Sequence, residues 1–292
     1  MTLSAQCLQL LLTGITVGSI YAMVAVGFNI IYNATDVLNF AQGEFVMIGG
    51  MAMIMFHSTF GMSMFLSFFL SVGLVTVVGI LFERLTISTL KNPSLVTMIL
   101  ITIAVSIILK GLAMITWGKD SHPLEPFTHA KPIHIAGAVI VPQILWVIGL
   151  TLLVVLLLTY FFKFTMAGKA LRACAINRDA ASCMGINVKM MVTLSFAMSA
   201  AIGAVAGAII TPITLMEYDR GAMLGIKGFS AAIVGGVGNS FGAVVAGLAI
   251  GIVESFAAGF ISSGYKDAFA FLIMLLVLFV RPGGILGKYE VE

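Results

Sequence analysis

The sequence predicts an all-α fold, a polytopic membrane helix bundle of about eight transmembrane helices with one further short or re-entrant segment. The first observation is composition: 60% of the 292 residues are hydrophobic and 9% are charged, and the mean hydropathy is +1.14. Ordinary soluble domains are far less apolar. The second observation is that apolar runs of spanning length take up nearly the whole chain. We therefore expect residues 1–292 to form a single transmembrane domain.

Eight apolar runs are mostly long enough to cross a bilayer, because roughly 20 helical residues span its hydrocarbon core. In chain order they cover about 7–31, 40–57, 62–82, 94–116, 140–162, 190–215, 241–262 and 266–280. No Lys or Arg precedes the first run, and the run is too long for the apolar core of a signal peptide. We therefore expect the mature protein to keep it.

A ninth apolar piece, 226–237, is only about three helical turns long and ends in the stretch GGVGNSFG. Its length favours a half-helix or a re-entrant segment. The alternative is that its glycines only make a tight turn between two helices. The sequence leaves both interpretations open.

Basic residues in short loops predict the orientation, because such loops favour the cytoplasm. Arg84 and Lys91 lie in one loop, and a second basic loop covers about 163–189. Both are predicted to be cytoplasmic, since two crossings separate them. The N-terminus and the segments 117–139 and 211–225 are then predicted to lie outside.

The side of the C-terminus depends on the short segment 226–237. Arg281 and Lys288 favour a cytoplasmic tail, which requires this segment to cross the membrane. A re-entrant segment would instead leave the tail outside.

Several kinds of chemistry are not expected. The chain has no P-loop, no H-E-x-x-H and no C-x-x-C, and GGVGNSFG lacks the spacing of a dinucleotide-binding turn. Three histidines of a Pro-rich outer loop, His122, His129 and His134, have no regular spacing that would favour a metal site. Three cysteines do not predict a disulfide framework. We expect no catalytic residue, no metal and no cofactor, and so no enzyme.

Polar groups inside apolar runs are the candidates for a transport pathway, because a charge in mid-membrane is costly and normally faces a cavity or a partner. The candidates are Asn29, Asp36, Asn39, Gln42, Glu44, Lys110 and Glu254, together with the glycines Gly235, Gly236 and Gly238. A proton relay through Glu254 is one interpretation. A structural hydrogen bond to a neighbouring helix is another, and it is favoured.

The stretch NFAQGEFVMIGG, residues 39–50, is predicted to start a helix at the inner side of the membrane. Asn39 and Gln42 would satisfy the turn, and Glu44 would favour the helix N-terminus. Gly49 and Gly50 would permit close packing.

Glycines spaced by four residues in apolar context predict close helix contacts in the membrane. The pairs are Gly14 and Gly18, Gly203 and Gly207, and Gly247 and Gly251. The sequence does not decide whether the contacting helix belongs to the same chain or to a second subunit.

The polar segment 166–190 is too short to span, and a helix of about four turns at the cytoplasmic surface is predicted for it. One interpretation is an interfacial helix held by anionic lipid. The other is a docking element for a cytoplasmic partner, formed by small residues flanked by positive charge.

Four stretches together resemble the permeases of branched-chain amino acid ABC transporters, the Liv-type family. They are GITVGSIYAMVAVGFNIIYNATDVLNFAQGEFVMIGG (14–50), GKALRACAINRDAASCMGINV (168–188), GFSAAIVGGVGNSFGAVVAGLAIGIVES (228–255) and RPGGILG (281–287). By its length the chain is most similar to the LivH-like subunit. Permeases for urea and short amides share these motifs, so the resemblance leaves the solute open.

The resemblance implies half of a translocation pathway for leucine, isoleucine and valine in a bacterial inner membrane. It also implies four kinds of partner: a second, LivM-like permease, two cytoplasmic ABC ATPase subunits that use the ATP, an extracytoplasmic solute-binding protein, and membrane lipid. Nucleic acid is not expected as a partner. The loop at about 163–189 would be the coupling loop. The residues expected at the ATPase are Lys169, Arg172, Asn177, Arg178, Asp179 and Gly185.

Two alternatives belong to other classes of protein. One is a proton-coupled secondary transporter with Glu254 and Lys110 as its relay, which would need no partner subunit. The other is a membrane scaffold or receptor component that transports nothing, in which the polar residues only hold helices together.

Overall fold

The computed structural model describes residues 3–90, 94–135 and 137–287, so Lys91 and Lys288 of the orientation argument lie outside the described residues. The described chain is a helical bundle, as predicted. Its α-helices are α1 (Leu3–Thr35), α2 (Gln42–Ile54), α3 (Met64–Phe82), α4 (Leu95–Trp117), α5 (Pro142–Phe164), α6 (Met166–Ile176), α7 (Arg178–Cys183), α8 (Val188–Ile210), α9 (Arg220–Gly235), α10 (Ser240–Phe260) and α11 (Lys266–Val280). Two π-helical turns, Met55–Thr59 and Glu83–Ile87, extend α2 and α3, and a 3-10 turn, Ser263–Tyr265, precedes α11.

Seven helices within the described ranges are long and apolar enough to cross a membrane. They are α1, α3, α4, α5, α8, α10 and α11. The span of α3 includes the π-helical turn Glu83–Ile87, and the span of α11 includes the 3-10 turn Ser263–Tyr265. Each coincides with a predicted apolar run. The remaining crossings use α2 and α9, which have 13 and 16 residues. At a rise of 1.5 Å per residue they measure roughly 20 and 24 Å, less than the hydrocarbon core of about 30 Å.

Polar side chains fix where several helices begin. Ser94 accepts a hydrogen bond from the Thr97 amide at the start of α4, at 3.2 Å. Asn187 and Asn239 do the same at the starts of α8 and α10, at 3.1 and 3.0 Å. A side-chain oxygen at this position satisfies one of the free amides of the first turn, so these residues end the preceding loops.

The first helix forms the centre of the bundle, packed between α8, α9 and α10. The glycines at the α1–α10 contact explain how close the two helices lie. A Cβ atom on Gly18 would lie 2.8 Å from the Leu248 Cα, and one on Gly247 would lie 2.6 Å from the Ala22 Cα. The glycine pairs of α1 and α10 therefore pack against each other within one chain.

The short helix α9 begins at Arg220, so the outer loop predicted for 211–225 is shorter than expected. The charged residues around Asp219 suggested a loop, but glycines at the start of α9 let it pack on α2. A Cβ atom on Gly225 would lie 3.2 Å from the Gly43 Cα. The packing of α9 against α2 therefore decides where the helix begins, although the charged residues around Asp219 favour a loop.

The turn after α9 decides between the two interpretations of the 226–237 segment. Gly236 and Gly238 have φ angles of 100° and 87°, which few other residues adopt, and they form the tight turn into α10. Asn33, near the end of α1, donates a hydrogen bond to the Gly238 carbonyl at 3.0 Å. Helix α9 thus runs from the loop after α8 to the opposite end of the bundle, and it crosses.

The C-terminal tail lies at this same end. The Ile285 amide donates to the Val234 carbonyl at 2.8 Å, close to the turn that follows α9. Asp36, just after α1, pairs with Arg178 of α7. The tail and the basic segment α6–α7 therefore share one side, which the positive-inside rule makes cytoplasmic.

The segment 166–190 contains two helices, not the single helix of about four turns that the sequence suggested. Asn177 separates α6 from α7 with an extended backbone, and its side chain accepts a hydrogen bond from the Ala180 amide at 2.9 Å. Below them a small apolar cluster of Leu171, Cys174, Ala181 and Met191 holds both helices against α8 and the end of α1. An asparagine cap inside the segment is the reason for the break.

The opposite, outer face carries a short antiparallel hairpin, β1 (Ile133–Ile135) and β2 (Ala138–Ile140). The Val139 amide of this hairpin donates to Gln9 of α1 at 2.8 Å. His122 pairs by its backbone with Met216 in the loop after α8. The N-terminal end of α1 and both predicted outer segments therefore lie together.

Candidate functional site

The second crossing is interrupted inside the bundle. Helix α1 ends at Thr35, Asp36 takes a left-handed φ of 52°, and residues 36–41 are non-helical until α2 begins at Gln42. We call residues 36–41 the α1–α2 segment. Helix α2 starts between other helices, because Gln42 contacts Gly27 in the last third of α1 and Ser199 at the middle of α8.

Hydrogen bonds define the depth of this start. The Ser199 hydroxyl, at the middle of α8, donates to the Gln42 side-chain oxygen at 2.6 Å and is also 2.8 Å from the Gly27 carbonyl of α1. The Gln42 side-chain amide donates to the Ser199 carbonyl at 3.3 Å. A helix starts at Gln42, as predicted, but its start lies level with the middle of α8 and not at the inner side of the membrane. Gln42 links α2 to α8 instead of satisfying its own turn.

Asn39 does satisfy the turn. Its side-chain oxygen accepts a hydrogen bond from the Ala41 amide at 3.0 Å. The side chain is fully buried, and its Nδ2 has no hydrogen-bond partner within the described parts of the chain. Such an atom in a native structure requires an explanation, and water or a ligand is a common one.

Glu44 lies in the first turn of α2 and points towards α4 and α9. Its Oε1 accepts a hydrogen bond from the Ser106 hydroxyl at 3.0 Å. Its Oε2 has no hydrogen-bond partner among the residues that the structure describes, although the side chain is only 1% exposed. Two buried polar atoms without a partner in the described structure, Asn39 Nδ2 and Glu44 Oε2, thus lie just before α2 and in its first turn.

Beside Glu44 lies a half-exposed ion pair. The Lys110 ammonium of α4 forms a salt bridge with the carboxylate of Asp219, the residue that directly precedes α9. Its ammonium also lies 5.7 Å from the ring centre of Tyr218. Polar groups of α2, α4 and the start of α9 therefore form one group, which we call the α2–α4–α9 polar group.

Glu254 belongs to a separate, buried charge cluster. Lys227 of α9 pairs with Glu254 of α10 at 2.6 Å and with Asp267 of α11 at 2.5 Å. The Tyr21 hydroxyl of α1 accepts from Lys227 and donates to Glu254, both at 2.9 Å. Lys110 and Glu254, the two residues of the suggested proton relay, thus have different partners.

Four helices meet at this cluster. Lys227 and Glu254 are 4% and 5% exposed, so the charges are compensated by one another and by the Tyr21 hydroxyl. In the membrane interior such pairing is what makes buried charge tolerable. The cluster attaches α9 to α1, α10 and α11.

Other pathway candidates lie at the α9–α10 turn. Asn29 donates to the Asn239 carbonyl and accepts from the Gly238 amide, both at 3.0 Å. Gly235 and Gly236 lie at the end of α9, where the tail residue Gly284 approaches closely. The structure gives these residues contacts that hold the turn, and their part in a pathway stays a prediction.

The residues predicted for ATPase coupling lie on the cytoplasmic surface. Arg178 at the start of α7 forms an ion pair with Asp36 at 2.6 Å. Lys169 and Arg172 are exposed on α6, Asn177 and Asp179 are exposed around the start of α7, and Gly185 follows α7 with a φ of 84°. The Arg178–Asp36 pair connects this surface directly to the α1–α2 segment.

Sequence reasoning missed Lys227, Tyr21 and Asp267. The signal for Lys227 was present, because a lysine inside the apolar run 226–237 meets the same criterion that selected Glu254. Tyr21 is one of many apolar and aromatic residues in α1, and Asp267 lies at a helix start, where an acidic residue is ordinary.

The architecture defines a class: a multi-pass helical membrane protein with a crossing interrupted at mid-bundle and a pair of short helices on its cytoplasmic surface. The sequence matches a family model over residues 10–278, described as the permease component of branched-chain amino acid transport systems. The chain belongs to this family of ABC permeases. It is therefore a transport subunit of the LivH-like type.

Curated relatives extend over nearly the whole chain. The branched-chain amino acid permease protein LivH of Escherichia coli K12 is 32% identical over 300 residues, which cover 98% of this chain and 97% of the relative. BraD of Pseudomonas aeruginosa is 32% identical over 299 residues, with the same coverage of both chains. A probable LivH of Methanocaldococcus jannaschii is 29% identical, covering 92% of this chain and 89% of the relative.

Proposed function

We propose that this chain is the transmembrane permease of an ATP-driven importer for leucine, isoleucine and valine in a bacterial inner membrane. The observation that carries the proposal is the 32% identity to a high-affinity branched-chain amino acid permease over 98% of the chain. The relatives align from end to end, so the proposal concerns the whole chain and not one shared segment.

The permease works with partners under this proposal. A second, LivM-like permease completes the pathway, and an extracytoplasmic solute-binding protein delivers the amino acid. Two cytoplasmic ABC ATPases bind and hydrolyse the ATP, so the permease itself needs no cofactor. The exposed surface of α6 and α7 is the proposed ATPase contact, through Lys169, Arg172, Asn177, Arg178, Asp179 and Gly185.

A continuous set of contacts supports a route from this surface to the pathway. Arg178 on α7 pairs with Asp36, and Asp36 begins the α1–α2 segment that leads to the start of α2. When the ATPases close on ATP, movement of α7 is passed to this segment and shifts the start of α2. ATP binding thus biases a two-state element that opens the pathway to one side or the other.

The pathway itself is proposed to pass the start of α2. Asn39 and Glu44 each have a buried polar atom without a partner in the described structure. Water or the passing solute would satisfy these atoms in the assembled transporter. The other pathway candidates then have an indirect role, because they position the helices that line the pathway. They are Asn29, Gln42, Glu254, Gly235, Gly236 and Gly238.

Uptake of labelled solute tests the proposal. Cells without their own carriers receive this chain, its neighbouring permease, the ATPases and the binding protein, and uptake of leucine and urea is measured in parallel. We expect leucine uptake that vanishes on ATP depletion while the proton gradient is maintained. Urea uptake without leucine uptake would overturn the solute class. Leucine uptake that survives ATP loss and stops when the proton gradient collapses would overturn the mechanism.

A further inference from the structure

A groove of about 720 Å³ opens between α5 and α10 at the cytoplasmic end of the bundle. Its floor is α1, with Val26, Ile30 and Asn33, and α6 closes its inner end. Lys163 in the last turn of α5 and the start of α10 lie at the same end. The groove therefore lies at the depth of the cytoplasmic leaflet, where the positive-inside rule places α6 and α7.

The walls of the groove are apolar along most of their length. Val155, Leu158 and Phe162 face it from α5, and Val244 faces it from α10. The surfaces of both helices outside the groove are exposed: Leu157 on α5 is 57% exposed and Val245 on α10 is 44% exposed. A groove between two such helices opens towards hydrocarbon and not towards a water-filled space.

Positive charge lies only at the inner end. Lys163 and Arg172 line the groove there, and both are exposed. Among the described residues that line the groove there is no Asp or Glu to neutralise them. Apolar walls that end in two unpaired cations are complementary to one kind of molecule, an anionic lipid.

We propose that the groove holds one anionic phospholipid of the cytoplasmic leaflet. Its phosphate lies between Lys163 and Arg172, and an acyl chain extends along Val155, Leu158 and Val244. Of the six residues proposed for the ATPase contact only Arg172 lines the groove. Under this inference Arg172 binds the lipid, and the other five make the ATPase contact. Bound there, the lipid joins α6 to the end of α5, so it steadies the helix that the proposed function assigns to ATPase contact. The inference requires only that the chain spans a membrane, so it does not depend on the identity of the solute.

Native mass spectrometry of the full-length chain, purified with the subunits that accompany it, tests the site. Phosphatidylglycerol and phosphatidylcholine are titrated in separate samples. We expect one phosphatidylglycerol per permease chain to be retained at concentrations where phosphatidylcholine is not. Equal retention of the two lipids, or retention of neither, would overturn the proposal. The second outcome would indicate that a protein partner covers the groove.

Two pairs of variants separate a specific site from general attraction. K163Q/R172Q removes both cations of the groove, whereas K169Q/K189Q removes the same charge from cytoplasmic positions that do not line it. We expect the first variant to bind phosphatidylglycerol at least fivefold more weakly and the second to bind it as the wild type does. Equal weakening in both would overturn the proposal.

A tryptophan tests the acyl-chain position without a change of charge. Thr159 lines the groove from an exposed position on α5, so T159W fills the groove with little disturbance of the core. L157W places the same side chain on the outer surface of α5 as a control for folding. We expect T159W to lose the bound lipid and L157W to retain it. Retention in T159W would show that only the headgroup is held, and the proposal would be wrong.

Discussion

Lys227 places an ammonium group in the interior of the bundle, where Glu254 and Asp267 both lie within 2.6 Å of it. Lys227→Met would leave two carboxylates facing each other without their cation. Removing one partner of a buried pair costs about 3–5 kcal/mol. We expect this loss in the free energy of unfolding, measured in detergent by thermal or denaturant unfolding.

Glu254→Gln is the matched comparison, because Lys227 keeps Asp267 as its partner in this variant. The expected loss of stability is smaller, and ATP-driven leucine uptake should persist in the protein that remains folded. A folded Glu254→Gln permease without any uptake would favour the proton relay. If Glu254→Gln destabilised the protein more than Lys227→Met, Lys227 would not be the residue on which the stability of this charge cluster mainly depends, and the prediction would be wrong.

The Asp36–Arg178 pair is exposed, so its contribution to folding is small, about 0.2–1 kcal/mol. We expect its main effect on coupling, since it joins α7 to the α1–α2 segment. Asp36→Asn is a suitable variant, because asparagine also tolerates the left-handed φ of 52° at this position. It should raise the number of ATP molecules hydrolysed per leucine transported in proteoliposomes.

Arg178→Gln breaks the same pair from the other side. If the two residues act through this contact, the double variant should be no worse than either single variant. Additive losses of coupling would mean that the two residues act separately, and the proposed route through Asp36 would then fail.

At the scale of single residues the sequence could indicate which positions were unusual, but not their partners. Asn39, Gln42 and Glu44 stood out as polar residues at the start of an apolar run. That Gln42 bonds to Ser199, 157 positions further along, depends on how α8 packs against α1. No local sequence pattern contains that information. Lys227 was not selected as a candidate because the short apolar run around it was interpreted by its length alone.

At the scale of elements the long helices could be predicted, because about 20 apolar residues in a bilayer must form a helix that satisfies its own backbone. The predicted 94–116 and the observed Leu95–Trp117 illustrate the agreement. The start of α9 and the break at Asn177 could not be predicted. The first depends on glycine contacts with α2, and the second on one side-chain cap.

Packing between α2 and α8 depends on Gly207. A Cβ atom there would lie 2.9 Å from both the Gly50 amide nitrogen and the Val46 carbonyl carbon, which are backbone atoms that cannot rotate away. Gly207→Ala should therefore destabilise the permease by about 1–3 kcal/mol through overpacking. Thermal unfolding in detergent measures this change.

Gly149→Ala provides the control, because nothing lies within 4 Å of the added Cβ on α5. Alanine is the better helix former by about 0.5–1 kcal/mol, so this variant should be neutral or slightly more stable. If both variants behaved alike, helix propensity and not the α2–α8 contact would govern the effect.

At the scale of the whole molecule, the two short crossings meet each other. Helix α2 starts inside the bundle, and α9 starts beside it, with Gly43 against Gly221 and Gly225. The α2–α4–α9 polar group lies at this meeting point, while the Lys227 cluster anchors α9 to the remaining helices. Movement of the α1–α2 segment would therefore act where the interrupted α2 crossing shares polar groups with the start of the short helix α9.

Native cysteines test the orientation of the whole bundle. Cys7 lies near the outer end of α1, and Cys183 is exposed on α7 at the predicted cytoplasmic face. A membrane-impermeant maleimide should label Cys7 in right-side-out vesicles and Cys183 only in inside-out vesicles, as quantified by mass spectrometry of the labelled peptides. Labelling of both residues from one side would contradict the arrangement of crossings described above.

Cys174 is the internal control of this experiment, since it lies on the cytoplasmic helix α6 but is only 3% exposed. Burial raises the pKa of the Cys174 thiol, although nearby Arg178 lowers it in part. Because the thiolate is the reactive form, its labelling in inside-out vesicles should lag behind that of Cys183 and should increase as the pH rises. Equal labelling rates at neutral pH would mean that α6 and α7 do not pack on the bundle as the apolar cluster beneath them requires.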